Sequence, residues 1–311
     1  MIKQTFFLTF LITFTACYNK IKEVPTYNPN KLVSSSFEVI DTEMYELILP
    51  IGPQKGTLIL FPGYSENPAR IKQEFQIVQP ALIKGIALVL MKFNQRLWLD
   101  TQEKFRLATT FNQLITTHNL GENNIYIGGF SSGGNISLLL ANHLAETDNL
   151  IQPKGVFTID SPVDLLGLYE ISQRNIQRNF SPISMQESTK TVQRFETSFG
   201  LPADSLDNYE MASIYTKKTN NLTNVAHLDQ LKIRLYTEPD IDWWQKNRQN
   251  EWEDMNAYFI KHLSNELIKK FGNQVEYIPT KNRGYRANGR RHPHSWAIAE
   301  VENLLQWMMT E

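Results

Sequence analysis

Short apolar runs that stop at glycine or proline, each followed by a helical stripe, constrain this chain more than any other feature. Thr57–Phe61 stops at Pro62-Gly63, Gly85–Met91 is unbroken, and Ile125–Ile127 runs into Gly128-Gly129. Val156–Ile159, Ile233–Tyr236 and Val275–Ile278 come later, and Phe37–Ile40 with Tyr45–Leu49 opens the series. A strand with one wet face alternates apolar and polar residues. A run without a polar break needs cover on both faces, which is the situation of a parallel sheet. The cover lies in the intervals: Phe105, Ala108, Phe111 and Ile115 recur at helical steps, as do Ile136, Leu139, Leu140 and Leu144. Trp252, Met255, Phe259, Leu263 and Leu267 form a third stripe, and Ile298, Val301, Leu305 and Met308 a fourth. The first of these helices is predicted to stop near Asn119–Gly121 with a glycine cap. Alternation of this kind predicts an α/β fold, doubly wound, over residues 37–311. The stripes are core positions rather than cofactor contacts.

One interval breaks the rhythm. Between Val156–Ile159 and Ile233 lie roughly seventy residues, too many for a structureless loop in a compact domain. Helical character in Gln173–Asn179, Gln186–Gly200 and Asn208–Tyr215 predicts an inserted cap of short helices at about 166–225.

Charge says what the partners are not. The 31 basic and 32 acidic residues leave a net charge of −1, with no charged tail, and a nucleic-acid binder would show a basic excess. The N-terminus is more informative. Lys3 precedes an apolar stretch, Phe6–Phe14, broken only by Thr9 and Thr13, which fits the h-region of a secretory signal and is short for a membrane span. It ends in Phe14-Thr15-Ala16-Cys17, and Cys17 is the only cysteine. A small residue before that cysteine resembles a bacterial lipobox, although Phe14 replaces the commoner aliphatic or small residue. The resemblance implies a signal peptide over 1–16, an acyl chain on Cys17 and a tether over 17–36. The protein would then be a lipid-anchored membrane protein of the cell envelope, facing the periplasm or exterior. The alternative is a plain signal peptide with an incidental cysteine. A lone cysteine excludes an internal disulfide framework either way.

The chemistry concentrates at Gly128-Gly129-Phe130-Ser131-Ser132-Gly133-Gly134, which contains G-x-S-x-G between a strand and an amphipathic helix. That context separates a nucleophile elbow from a chance match. The turn is tight, so neighbouring positions need glycine, and Ser131 is lifted to the positive end of the helix. A bland alternative is a glycine-rich strand-to-helix turn without chemistry. Phosphate-loop patterns are missing here. From residue 37 to 309 the element order and this motif resemble the α/β-hydrolase family. The resemblance implies a mostly parallel sheet flanked by helices and an oxyanion hole formed by the backbone N–H groups of Ser132 and Tyr64. The second lies in the loop Phe61–Asn67, where Pro62 stands in place of the family's histidine.

The same resemblance orders the remaining residues as serine, acid, histidine. His294 directly precedes the last helix and is the expected general base, with His292 as the alternative. Read as H-x-H, the pair could suggest a metal, but no further ligand lies nearby in sequence, so no metal and no cofactor is expected. The acid is expected at Asp240, with Asp242 the main alternative and Glu238 a competitor. Some relatives carry it after the preceding strand, where Asp160 and Asp164 stand. The expected activity is hydrolysis of a carboxylic ester, or a related acyl bond, of a small-molecule substrate by an acyl-enzyme route. A prolyl-oligopeptidase-type peptidase and a non-catalytic binding lipoprotein of the same fold are the alternatives. Lys281, Arg283, Arg286, Arg290 and Arg291 occupy one loop before His294. They would favour an anionic substrate if they face the cleft, or would simply pair with Glu238, Asp240 and Asp242.

Overall fold

The computed structural model describes residues 22–26, 33–147 and 149–310. Cys17 and the whole 1–16 segment lie outside the described residues. In chain order the elements are β1 (Lys22–Thr26), β2 (Val33–Asp41), β3 (Tyr45–Leu49), β4 (Gly56–Phe61), α1 (Pro68–Phe75), α2 (Val78–Ile83) and β5 (Ile86–Met91). Next come α3 (Thr101–Thr117), β6 (Ile125–Phe130), α4 (Ser132–Glu146), β7 (Gly155–Ile159), α5 (Leu165–Arg178), α6 (Pro182–Phe199) and α7 (Leu206–Ala212). The chain closes with β8 (Lys232–Thr237), α8 (Ile241–Arg248), α9 (Asn256–Phe271), β9 (Val275–Pro279) and α10 (Val301–Met309).

The strands form one sheet in the order β1-β2-β3-β5-β4-β6-β7-β8-β9. Pairing is antiparallel from β1 to β5 and parallel from β5 through β4 to β9. Within the stretch read as a tether, Lys22–Thr26 is strand and pairs with Val33–Phe37. Burial on both faces explains the unbroken apolar runs. Leu47, Ile59, Val89 and Ile127 point to one side with α3, α4 and α9, while Ile48, Leu58, Leu90 and Tyr126 point to the other with α1, α2 and α10. Successive strand residues feed opposite layers, so neither face can carry a polar alternation.

Two details differ from the sequence reading. Phe105 lies on the outer side of α3, 56% exposed, and the buried stripe is Leu107, Ala108, Phe111, Leu114 and Ile115. Past the end of α3, Asn119 rather than Gly121 adopts the left-handed conformation, with φ 49°. Asparagine is one of the few side chains that tolerates it.

Between β7 and β8, helices α5, α6 and α7 form a layer with its own small core of Leu165, Leu166, Tyr169, Phe195, Phe199 and Tyr209. Trp98, from the loop after β5, packs its ring 4.6 Å from that of Phe199 and so joins this layer to the sheet domain.

Candidate active site

At the end of β6 the chain makes a sharp turn whose one strained residue is Ser131, with φ 54° and ψ −126°. A side chain at that backbone conformation costs on the order of 1–3 kcal/mol, and the surroundings must hold it there. They do so tightly. The Ser131 amide donates to the Ile159 carbonyl at 2.8 Å, and a Cβ added at Gly133 would stand 2.4 Å from the Phe61 carbonyl oxygen. A Cβ at Gly129 would meet Gly133 at the same 2.4 Å. Helix α4 is thus pressed against the ends of β4 and β6, which requires glycine at both places. Its Ser132–Leu144 stretch is buried throughout.

The loop after β4 faces this elbow. Glu66 fastens it: its Oε2 accepts from the Gly63 amide at 3.1 Å and from the Trp296 indole at 2.9 Å. Asn94 holds the Glu66 carbonyl at 2.7 Å, and Asn67 caps α1. Among the described residues the Tyr64 and Ser132 amides donate to no protein acceptor. These are the two N–H groups expected to form the oxyanion hole. Glu66 was not anticipated from sequence, because a polar loop residue reads as solvated until Trp296 is brought to it.

His294 lies beside the elbow. It packs on Phe130, the residue before Ser131, with ring centres 4.4 Å apart, and it lines the same cleft as Ser131. Its Nδ1 lies 2.6 Å from a carboxylate oxygen of Asp160. That contact fixes the ring orientation and leaves Nε2 outside it. No hydrogen bond joins Ser131 Oγ to Nε2 among the described residues; in free enzymes this contact often closes only around substrate. His292 is different. It is wedged against Trp243 and Trp244, with no carboxylate on its ring, and burial together with the nearby His294 pushes its pKa down to about 3.

The expected acid, Asp240, does not reach His294. Its Oδ1 accepts from the Trp243 amide at 3.1 Å as the N-cap of α8, and its other oxygen is bonded to Arg291. The alternative, Asp242, sits in the first turn of the same helix. Glu238 is buried and serves the loop itself, accepting at 2.9 Å from each of the Thr280 hydroxyl and the Arg283 and Gly284 amides, while pairing with Arg291. The physical reason is helix α8, which buries no residue, so no apolar stripe announces it in the sequence, and which claims Asp240 for capping. Asp164 is likewise committed, as the N-cap of α5, and burial raises its pKa to about 6.

Asp160 is held in place on several sides. Its backbone is left-handed with φ 47°, its amide donates to the Tyr236 carbonyl at 2.8 Å, and its Oδ1 accepts from the Thr237 hydroxyl at 2.7 Å. The Asn256 side chain bonds its carbonyl at 2.8 Å. Phe130 and Ile159 are partners in the β6–β7 ladder, so Ser131 and Asp160 are the first residues beyond two neighbouring strand ends. That is where ligands meet open parallel sheets. No group of three metal-ligating side chains exists among the described residues.

Above these residues lies a cleft of about 1230 Å³, bounded by the loop after β4, by α5 and α6, and by the 286–294 loop. No family model matches the chain, and no curated protein does. Solved structures do. The chain is similar to FphF, a fluorophosphonate-binding serine hydrolase of Staphylococcus aureus, at 13% identity over 94% of this chain and 99% of that one, with a TM-score of 0.53. It is similar to an S-formylglutathione hydrolase from Agrobacterium tumefaciens at 11% identity, covering 94% and 98%, with a TM-score of 0.54. A hormone-sensitive lipase from a metagenome library matches at 13% identity over 88% and 83%, with a TM-score of 0.51. The fold is that of the α/β-hydrolases: a mostly parallel sheet flanked by helices.

Proposed function

We propose that this chain is a serine hydrolase that cleaves a carboxylic ester through an acyl-enzyme, with Ser131 as nucleophile, His294 as general base and Asp160 as the carboxylate behind it. The observation that carries the reading is the 2.6 Å contact between His294 Nδ1 and buried Asp160, in the cleft that also holds Ser131 on its strained turn. Ser131 and His294 line one cleft and Asp160 backs the imidazole, which supports acyl transfer by this trio.

The steps follow from the positions. Ser131 Oγ attacks the ester carbonyl while its proton passes to His294 Nε2. The carbonyl oxygen becomes an oxyanion, and the free amides of Tyr64 and Ser132 donate to it, aided by the positive end of α4. Collapse expels the alcohol, which takes the proton from His294. Water then repeats the sequence on the acyl-enzyme and releases the acid. Asp160 faces the imidazolium that forms in both halves. The hydrolase and lipase titles of the similar structures agree with this reading.

The test is labelling with a fluorophosphonate probe, followed by turnover of short phenyl esters. Wild type is expected to label, and Ser131→Ala to lose both labelling and turnover, by several orders of magnitude for the latter. Equal labelling of Ser131→Ala would overturn the assignment. The N-terminal segment completes the proposal: an acyl chain on Cys17 would hold the enzyme at the cell envelope. Cys17→Ser should then move it from the membrane to the soluble fraction. An unmodified Cys17 in the mature protein, seen by mass spectrometry, would refute the anchor.

A further inference from the structure

Building on the ester-hydrolase reading, we infer that the substrate carries a carboxylate or similar anionic group, bound by Arg286 beside the nucleophile. Most of the charges that line the cleft are paired or hydrogen-bonded. Each of its carboxylates is engaged: Asp254 with Arg174 and Arg178, Glu187 with Arg248, and Glu66 with the Gly63 amide and the Trp296 indole. Exposed Lys190 on α6 has no ion-pair partner among the described residues, whereas Arg70 is engaged on Glu74 at 2.9 Å and Arg194 on the Tyr64 hydroxyl and the Gln95 carbonyl. Arg286 is not. Among the described residues its guanidinium makes no hydrogen bond and no ion pair, and it lies over the face of Phe130, 5.8 Å from the ring centre. Glu74 and Glu66 act on it only through space, and Glu74 is already bonded to Arg70 and to the Ala287 amide. Burial pushes the Arg286 guanidinium below its ordinary pKa, as expected of a half-buried cation without a bonded counter-ion.

The position is functional as well as uncompensated. Phe130 carries both Arg286 and His294 on its ring, the imidazole at 4.4 Å, so an anion on Arg286 lies within one small molecule's length of the reacting carbonyl. The loop is built rather than loose. Arg286 and Arg290 close a turn through a 2.8 Å bond, Gly289 at φ 80° completes it, and the Ala287 amide is pinned to Glu74 at 2.8 Å. The other arginines of this loop show the contrast. Arg291 is neutralised by Glu238 and Asp240, and Arg283 pairs with Glu300 at the surface. Arg290, exposed at the rim of the same cleft, has no ion-pair partner among the described residues and adds to the field. A planar guanidinium with free donors matches a carboxylate two bonds at a time.

Matched esters provide the test. Phenyl butyrate and phenyl hemisuccinate differ by a terminal carboxylate on the acyl side; phenyl acetate and 4-carboxyphenyl acetate differ by one on the leaving group. Wild type at low ionic strength is expected to prefer the anionic member of at least one pair in kcat/KM. In Arg286→Ala that preference should shrink by about ten- to a hundredfold, chiefly through KM, the range for lost hydrogen bonds to a charged group. Arg286→Lys should retain part of it, having the charge without the fork, and Arg283→Ala should retain it all. If Arg286→Ala fails to fold, Arg286→Lys and inhibition of wild type by succinate read the same site. No anionic preference in either pair, or a ratio unchanged in Arg286→Ala and Arg286→Lys, would overturn the inference, and Ser131-dependent labelling would still stand. Failure of wild type to label would remove the ester-hydrolase reading and this inference with it.

Discussion

Replacing Asp160 by Asn changes one oxygen to an NH2 group at the 2.6 Å contact with His294. The backbone accepts the change, because Asn tolerates the left-handed φ of 47° far better than Ala would. The amide oxygen can still take the 2.7 Å bond from Thr237. Its NH2 group then faces Nδ1 and favours the tautomer with the proton on Nε2, which cannot accept from Ser131. When an imidazolium does form, it lacks a facing carboxylate. With charge centres roughly 4 Å apart and an effective dielectric of about 20, that attraction is worth about 4 kcal/mol, or about a thousandfold in rate. The tautomer effect carries the total to about 10³–10⁴. Turnover of phenyl butyrate and the rate of fluorophosphonate labelling should fall together, while the urea midpoint stays close to wild type. Asp240→Asn and Asp164→Asn, which alter helix caps, should change turnover by less than about tenfold. A mild Asp160→Asn beside a crippled Asp240→Asn would refute the reasoning, since the imidazole would then be oriented by the other carboxylate.

Glu238→Gln removes the charge on which Arg291, Thr280 and two amides converge, so it should cost about 3 kcal/mol in urea denaturation; a loss below about 0.5 kcal/mol would show that the loop does not depend on it. Gly133→Ala should destabilise by about 3 kcal/mol or prevent folding, because the new methyl would lie 2.4 Å from a backbone oxygen; wild-type thermal stability in that variant would contradict the packing. His292, held neutral with its pKa pushed from 6.5 to about 3, contributes stability that is complete above pH 6.5 and is lost as pH falls toward 3, since only the unfolded chain takes up the proton in that window. His292→Gln should therefore lose less stability than wild type between pH 7 and pH 5, measured by denaturation at both; parallel losses would place the titration elsewhere.

Features that are local or periodic can be read from the residues alone. Unbroken apolar runs specify strands covered on both faces, and the observed layers on either side of the sheet match them. The Ser131 elbow was legible because strand, turn and helix follow one another within a few residues. His294 can be singled out as a candidate from its place before the last helix. Phe105 shows the limit of a periodic argument: it falls on the stripe by spacing, yet α3 turns it to solvent because Leu107 and Leu114 fill the buried face. The acid was a different kind of problem. Asp160, Asp164, Glu238, Asp240 and Asp242 are chemically near-equivalent, and spacing cannot say which carboxylate faces an imidazole more than fifty positions away in the chain. The proposal of Asp160 rests on tertiary contacts, which engage three of the others and leave Asp242 exposed in the first turn of α8. Asp240 caps α8, Asp164 caps α5, and Glu238 gathers the 280–284 backbone, leaving Asp160 at the strand end beside Ser131. The same holds for the arginines of the last loop. Their positive charge is written in the chain, but whether each is neutralised depends on which carboxylates the fold brings within about 4 Å, because Coulomb attraction and hydrogen bonding act through space.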